Sequence, residues 1–185
     1  MKKIVALLSA ALILVSFSSC KGNGDKDSSM VLSGDRNGTN IMPQVSQGKI
    51  PEVQFGLGSD PQEILAGDET YLQEYDGYKG ISTETAAYYY ENGKDADGIS
   101  AIVTYFEAYG MQVGAFTTPD DIISNNTDIE WDRHKPEERE MFFSPFIPDD
   151  AEVLVATSGN YKLSIFFTEN DIMAISLTDT AKWTL

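Results

Sequence analysis

The stretch that decides the fold is AEVLVATSGNYKLSIFFTENDIMAISLTD, residues 151–179. It contains three runs rich in β-branched and aromatic residues, which are typical of strands. The runs are separated by Ser-Gly-Asn and Glu-Asn-Asp, both of which have the composition of tight turns. We therefore predict an antiparallel meander with strands near 151–157, 160–168 and 171–178.

Alternation within these runs predicts which side chains share a face of the sheet, because successive residues of a strand point to opposite faces. In the second strand, one face carries Leu163, Ile165 and Phe167. In the third strand, strict alternation puts Ile172, Ala174 and Ser176 on one face, and Met173, Ile175 and Leu177 on the other.

A second strand-rich region lies between residues 83 and 117. It opens with the aromatic run Tyr88, Tyr89 and Tyr90, which is followed by the turn cluster NGKDADG. We predict strands near 83–91, 98–108 and 111–117. The middle segment is long enough to form a helix instead, so both assignments stay open for it.

Each set of strands follows the same helix-start signal. Asp60-Pro61-Gln62-Glu63-Ile64 and Thr118-Pro119-Asp120-Asp121-Ile122 both place a capping residue before a proline at the first helical position, 58 residues apart. Ser59 is an alternative cap for the first helix. The element order is therefore helix, three strands, helix, three strands.

This order predicts an α+β fold with an antiparallel sheet and short helices. It also suggests a tandem αβββ duplication with repeats 58–117 and 118–178, for which coincidence is the alternative. In element order the chain resembles small exported domains built from tandem α+β repeats, such as the β-lactamase-inhibitor-like fold. A resemblance of fold implies nothing about function.

The first twenty residues have the layout of a secretory signal peptide. Lys2 and Lys3 precede an apolar run from residue 4 to 15, and small residues follow it. The apolar run is shorter than the roughly 20 residues needed to span a bilayer.

The end of this signal, Phe17-Ser18-Ser19-Cys20, resembles the lipobox of bacterial lipoproteins. In that family the cysteine receives a diacylglycerol and becomes the N-terminus after cleavage; Phe17 stands where an aliphatic residue is commoner. The resemblance implies a signal peptide over 1–19 and lipid attachment at Cys20. It also implies export, and anchoring in the outer face of a bacterial membrane at the cell surface or in the periplasm.

The residues after Cys20 are rich in Gly, Asp, Asn and Ser. Such a composition buries too little apolar surface to offset the entropy of an ordered chain. We predict a flexible lipidated tether over 20–49 and a single α+β domain over 50–185.

Charge and composition exclude several classes of function. The chain has a net charge of −16, and removal of Lys2 and Lys3 with the signal leaves 11 basic and 29 acidic residues, or −18. This balance disfavours nucleic acids as partners. Cys20 and His134 are the only cysteine and the only histidine, so thiol, Ser-His-acid and zinc sites lack their residues.

Calcium is also disfavoured. The loop Asp95-Ala96-Asp97-Gly98 has Gly93 and Thr104 where an EF-hand needs acidic ligands. The segment 33–38 fits slightly better, but it begins with a serine and places Gln44 at the position of the bidentate acid. We therefore predict no catalytic residue, no metal and no cofactor, and we expect a protein that is not an enzyme. A carboxylate-based hydrolase is the one enzyme class for which residues are available.

Aromatic residues are the strongest candidates for ligand contacts. Neighbouring strand residues face opposite ways, so a run of three tyrosines is expected to leave a ring exposed, although strand aromatics usually belong to a core. The candidate ligand-binding residues are Tyr88, Tyr90, Trp131 and Phe143. We therefore expect a lipid-anchored, non-enzymatic binding domain for a protein, peptide or glycan, with an envelope structural or assembly lipoprotein as the alternative. Exposed aromatic residues would favour the first and buried ones the second.

Overall fold

The computed structural model describes residues 41–135, 150–169 and 171–183, which form three short α-helices, a 3-10 turn and ten strands. The helices are α1 (Ile41–Val45), α2 (Pro61–Leu65) and α3 (Pro119–Asn125), and the 3-10 turn is Asp95–Asp97. The strands of the N-terminal part are β1 (Tyr71–Glu74), β2 (Tyr78–Ser82), β3 (Ala86–Glu91), β4 (Ala101–Thr104), β5 (Glu107–Ala108) and β6 (Met111–Gln112). Those of the C-terminal part are β7 (Asp132–His134), β8 (Glu152–Ser158), β9 (Tyr161–Thr168) and β10 (Asp171–Asp179).

Eight of these strands form one antiparallel sheet in the order β1-β2-β3-β4-β10-β9-β8-β7. The sheet consists of two four-stranded meanders, β1–β4 and β7–β10, which join through β4 and β10. Strands β5 and β6 form a separate hairpin. The predicted α+β architecture, with an antiparallel sheet and short helices, is confirmed.

The three strands predicted from 151–179 are confirmed as β8, β9 and β10, and the strand at 83–91 is confirmed as β3. Strands β1, β2 and β7 were not predicted. All four residues of β1 are exposed, so it shows no alternation, and β7 consists of three polar residues at the end of the sheet order. Edge strands of this kind lack the apolar period that marks an inner strand.

The predicted strands 98–108 and 111–117 are wrong in extent. Strand β4 ends at Thr104, whose hydroxyl donates to the carbonyl of Thr85 and accepts from the N–H of Phe106. These bonds turn the chain out of the sheet, because a side-chain hydroxyl competes with the ladder for backbone groups. The chain then forms the β5–β6 hairpin, and β6 ends at Gln112.

The predicted faces of β10 are wrong at Ile172. The register with β9 passes from Ile172–Phe167 to Ala174–Phe166, so Met173 is the extra residue of a β-bulge. A bulge shifts the period of two by one residue. Ile172 therefore joins Ile175 and Leu177 on one face, while Ala174 lies on the other.

Both predicted helix starts are confirmed. Asp60 accepts from the N–H of Gln62 at 2.9 Å and caps α2. Thr118 and Asp121 form a reciprocal capping box at the start of α3. The hydrogen bonds from Thr118 hold the pKa of the Asp121 carboxyl below its usual range.

The three helices pack on one face of the sheet and bury an apolar cluster that we call the helix-side core. Its largest members from the sheet include Tyr88, Ile102 and Phe167, and each helix adds buried isoleucine or valine. In α1, Ile41 and Val45 are both buried. Residues 41 and 45 share one face of the helix, so both side chains enter the core. The folded part therefore includes α1 and starts before residue 50, within the range 20–49 that was predicted to be a tether.

The second face of the sheet is also buried and forms the opposite-face core. Its members include Tyr89, Val103, Val153, Phe166 and Trp183. Because both faces are buried, the inner strands read as nearly continuous apolar runs. The signal peptide 1–19 and Cys20 lie outside the described residues.

Candidate functional site

A groove of about 610 Å³ lies beside Trp131, at the end of the sheet where β7 pairs with β8. Three parts of the fold line it: Met42 of α1, the segment 128–132 between α3 and β7, and Val155 and Thr157 of β8. Among the predicted ligand residues that the structure describes, Trp131 is therefore the one that lies at this concave surface.

Backbone pairing fixes the position of Trp131. The next residue, Asp132, pairs with Val155, and the β7–β8 ladder continues to His134–Val153. Before it, the N–H of Ile129 donates to Asn126, the C-cap of α3. The indole is thus held between a helix end and a strand start, which preorganises it for contact with a ligand.

Strand β8 extends beyond its partner at this groove. It runs to Ser158, but its pairing with β7 ends at Val155, so Ala156–Ser158 pair only with β9 among the described residues. Backbone groups on that side of β8 are therefore left for other hydrogen bonds. A groove with free strand backbone suits an extended ligand.

The groove is acidic. Its lining includes Asp128, Glu130 and Asp132, and no Lys, Arg or His occurs among the described lining residues, although Asp132 lies 3.0 Å from Nε2 of His134. Arg133 points elsewhere, to an ion pair with Asp120 at 3.0 Å and another with Glu152. The lining therefore favours a neutral or cationic ligand over an anion.

The indole N–H of Trp131 is buried, and it has no hydrogen-bond partner among the described residues. Buried polar groups in native proteins are nearly always paired, and this N–H is closed to solvent, so a ligand in the groove can pair with it only if the side chains that cover it move. This N–H is a donor only, which means that the partner must offer an acceptor such as a carbonyl or hydroxyl oxygen.

The other predicted ligand residues are not at this groove. Tyr88 and Tyr90 are each 1% exposed and belong to the helix-side core, so the prediction that they contact a ligand is wrong. Tyr88 packs edge-on against Phe55 with ring centroids 6.0 Å apart, and the Lys79 ammonium lies 5.9 Å from the Tyr90 ring centre. Phe143 lies outside the described residues.

The middle tyrosine belongs to a group of rings in the opposite-face core. Tyr89 is 1% exposed and interacts electrostatically with Tyr105, while the rings of Tyr75 and Tyr78 stack with their centroids 4.6 Å apart. Burial raises the pKa of Tyr89 and raises the pKa of Tyr105 to about 12. The three tyrosines therefore do alternate between the two faces of the sheet, but both faces are buried.

Sequence reasoning missed most of the groove lining. Met42 was placed in the tether, although the spacing of Ile41 and Val45 was a signal for a helix that packs. Val155 and Thr157 were read only as strand residues. Within the described ranges, no group of three or more His, Cys, Asp or Glu residues is arranged to hold a metal ion, and no helix has the length and apolar character to cross a membrane.

Comparison with known proteins gives one result. No known family and no curated protein matches the sequence. The fold is similar to a solved structure described as a DUF4309 family protein (YjgB) from Bacillus subtilis subsp. subtilis str. 168, with 17% sequence identity and a TM-score of 0.45. The match covers 78% of this chain and 97% of that one, and likeness at this level carries neither family membership nor function.

Proposed function

We propose that this protein is a lipid-anchored, exported binding domain without enzymatic activity, and that it holds a peptide or glycan in the groove beside Trp131. The observation that carries the proposal is the buried indole N–H of Trp131, which has no acceptor among the described residues. The acidic lining and the free side of β8 favour an extended, neutral or cationic ligand with carbonyl or hydroxyl oxygens.

The test uses the two tryptophans as separate reporters. Each indole N–H gives its own signal in a ¹⁵N–¹H spectrum, and substitution Trp131→Phe assigns them. We would titrate the chain with a muropeptide, which carries glycan and peptide together, and then with its disaccharide and its stem peptide separately. The Trp131 signal should move on titration while the Trp183 signal, from a residue that does not line the groove, stays in place.

The variant Trp131→Phe keeps an aromatic ring but removes the donor. Loss of one neutral hydrogen bond, worth about 0.5–1.5 kcal/mol, should weaken binding by about 2- to 10-fold. If none of the three probes moves the Trp131 signal, or if both tryptophan signals move together, the groove is not the binding site.

A structural or assembly lipoprotein is the second candidate, because the burial of Tyr88, Tyr89 and Tyr90 makes them core residues and not a binding face. The two candidates differ in what Trp131→Phe does in cells. In a binding domain, the variant should reduce the amount of ligand bound while the envelope stays intact. In a scaffold, the variant should function as the original protein does.

Anchoring through Cys20 is the same for both candidates. Two acyl chains on the cysteine give stable membrane attachment, which a single chain does not. Cys20→Ser should therefore abolish acyl labelling and detergent-phase partitioning. Unchanged partitioning would mean that the lipobox interpretation is wrong.

We also propose that the two meanders arose by tandem duplication. Three features support this: the capped, proline-initiated helices α2 and α3, the four-stranded meander after each, and the joining of the meanders through their last strands, β4 and β10. The proposed repeat is thus one strand longer than αβββ. It fails if α2–β4 cannot be superposed on α3–β10 with β1–β4 matched in order to β7–β10.

A further inference from the structure

Three exposed apolar side chains lie on neighbouring backbone segments away from the Trp131 groove. Phe106 is 60% exposed, Phe116 is 77% exposed and Met173 is 39% exposed. Five large hydrophobic residues are exposed in the described part of the chain, and these are three of them. We call these three residues the Phe116 patch. Backbone contacts bring its segments together: the N–H of Val113 donates to Phe106, the N–H of Gly114 donates to Ile172, and Phe116 bridges Asp171.

The bulge in β10 contributes to the patch. A regular strand would have given Met173 a partner on β9, but the register shift leaves it as the extra residue and exposed. Bulges are over-represented beside functional sites, where they redirect a side chain.

The β5–β6 hairpin that carries the patch is held firmly. Its tip residues Tyr109 and Gly110 donate their backbone N–H groups to the carboxylate of Glu52, at 2.9 and 3.1 Å. The Tyr109 hydroxyl donates to the carbonyl of Lys49 at 2.8 Å, and its side chain is buried. Phe106 and Phe116 therefore flank an anchored hairpin and need little ordering on binding, which lowers the entropic cost of association.

The two segments that carry the patch are acidic. The two segments that form it, 104–117 and 168–173, contain Glu107, Glu169 and Asp171, and they contain no Lys, Arg or His. All three acids are exposed. Apolar anchors inside a rim of one charge sign are the arrangement of a protein interface whose partner carries the opposite charge.

We propose that the Phe116 patch docks a cationic, amphipathic segment of a partner polypeptide, with apolar side chains on the two phenylalanines and Lys or Arg against the acidic rim. A second copy of this chain would bring the same acids face to face. An anionic bilayer would meet the same three carboxylates, so charge disfavours both of these occupants. The patch is separate from the Trp131 groove and shares none of its lining residues.

The test measures binding of three labelled 12-residue peptides to the mature, lipidated chain in detergent by fluorescence anisotropy. One peptide alternates Leu and Lys, the second Leu and Glu, and the third Ser and Lys. We expect saturable binding of the Leu–Lys peptide, at least tenfold weaker binding of the other two, and weakening by salt. Phe116→Ser and Phe106→Ser should each reduce affinity for the Leu–Lys peptide at least tenfold.

The matched control is Tyr71→Ser, which removes an aromatic side chain 69% exposed on edge strand β1 and should leave affinity unchanged. Trp131→Phe should leave unchanged the part of the affinity that Phe116→Ser removes, so failure of this proposal is distinguishable from failure of the groove proposal. Circular dichroism checks that each variant is folded.

Four results would overturn the proposal. The first is failure of the Leu–Lys peptide to bind. The second is equally strong binding of the Ser–Lys peptide, which would show only attraction to an acidic surface. Binding of neutral phosphatidylcholine vesicles that depends on Phe116 would assign the patch to lipid. A concentration-dependent dimer in analytical ultracentrifugation that Phe116→Ser abolishes would assign it to a second copy.

Discussion

The tyrosine run on β3 and the two phenylalanines around the β5–β6 hairpin lie close together in the sequence, but their environments are opposite. Tyr88, Tyr89 and Tyr90 are each 1% exposed, whereas Phe106 and Phe116 are 60% and 77% exposed. The tyrosines lie in an inner strand with a buried core on each side. Phe106 lies just after β4 has left the sheet, and Phe116 follows β6, where its backbone bridges Asp171 while its side chain stays exposed.

The comparison shows that position in the sheet, and not residue type, decides which aromatic residues are available to a partner. Aromatic side chains in a sheet with two covered faces stabilise the fold. Aromatic side chains that flank the anchored hairpin beside the sheet can contact another molecule without being needed for the stability of the fold.

The largest predicted effect is the difference between Tyr89→Ala and Phe116→Ser. Truncation of a large buried ring leaves a cavity, so Tyr89→Ala should lower the free energy of unfolding by about 3–5 kcal/mol. Phe116→Ser should change it by no more than about 0.5 kcal/mol, because the side chain is mostly in solvent. Urea unfolding at neutral pH measures both, and equal losses would contradict the comparison.

Much of the sheet could be predicted from the sequence because its inner strands are apolar. Residues 151–179 gave three correct strands, and the proline-initiated caps at Asp60 and Thr118 marked two helices correctly. What failed depends on distant parts of the chain. Exposure of the tyrosines depends on what covers the second face, and the bulge at Met173 depends on pairing with β9.

The candidate site was predictable only at Trp131. Its other walls come from α1 and β8, which are far apart in sequence, and no local pattern at Met42 or Thr157 indicates that they meet. Loop and edge positions carry little periodic signal, which is also why β1 and β7 were missed.

A smaller effect should follow from the fit between Tyr89 and β2. Gly80 pairs with Tyr89 across the strands, and a Cβ at Gly80 would lie 2.8 Å from Cε1 of that ring. Because the ring is buried and has no room to move, Gly80→Ala should cost about 1–3 kcal/mol. The double variant Gly80→Ala/Tyr89→Leu should show a smaller cost for the alanine, and simple additivity of the two losses would contradict the steric explanation.

The smallest effect concerns pH, and it separates the tyrosine region from the phenylalanines because only tyrosine can ionise. Burial is the main cause that raises the pKa of Tyr105 from 10.0 to about 12, and burial raises the pKa of Tyr89 in the same direction. The folded state therefore keeps these protons at a pH where the unfolded chain loses them. The stabilisation is complete below pH 10 and is lost as pH rises from about 10 to about 12.

The slope of this loss is the quantity to measure. Each such tyrosine contributes at most about 1.4 kcal/mol per pH unit, so urea unfolding between pH 9 and 12 should show a steady fall in the free energy of unfolding. Tyr105→Phe should make the fall shallower, because one titrating group is gone, whereas Phe116→Ser should leave the slope unchanged. An identical slope in Tyr105→Phe would mean that its hydroxyl is in contact with water, and that the two faces of the sheet are less equally covered than the burial of Tyr88–Tyr90 indicates.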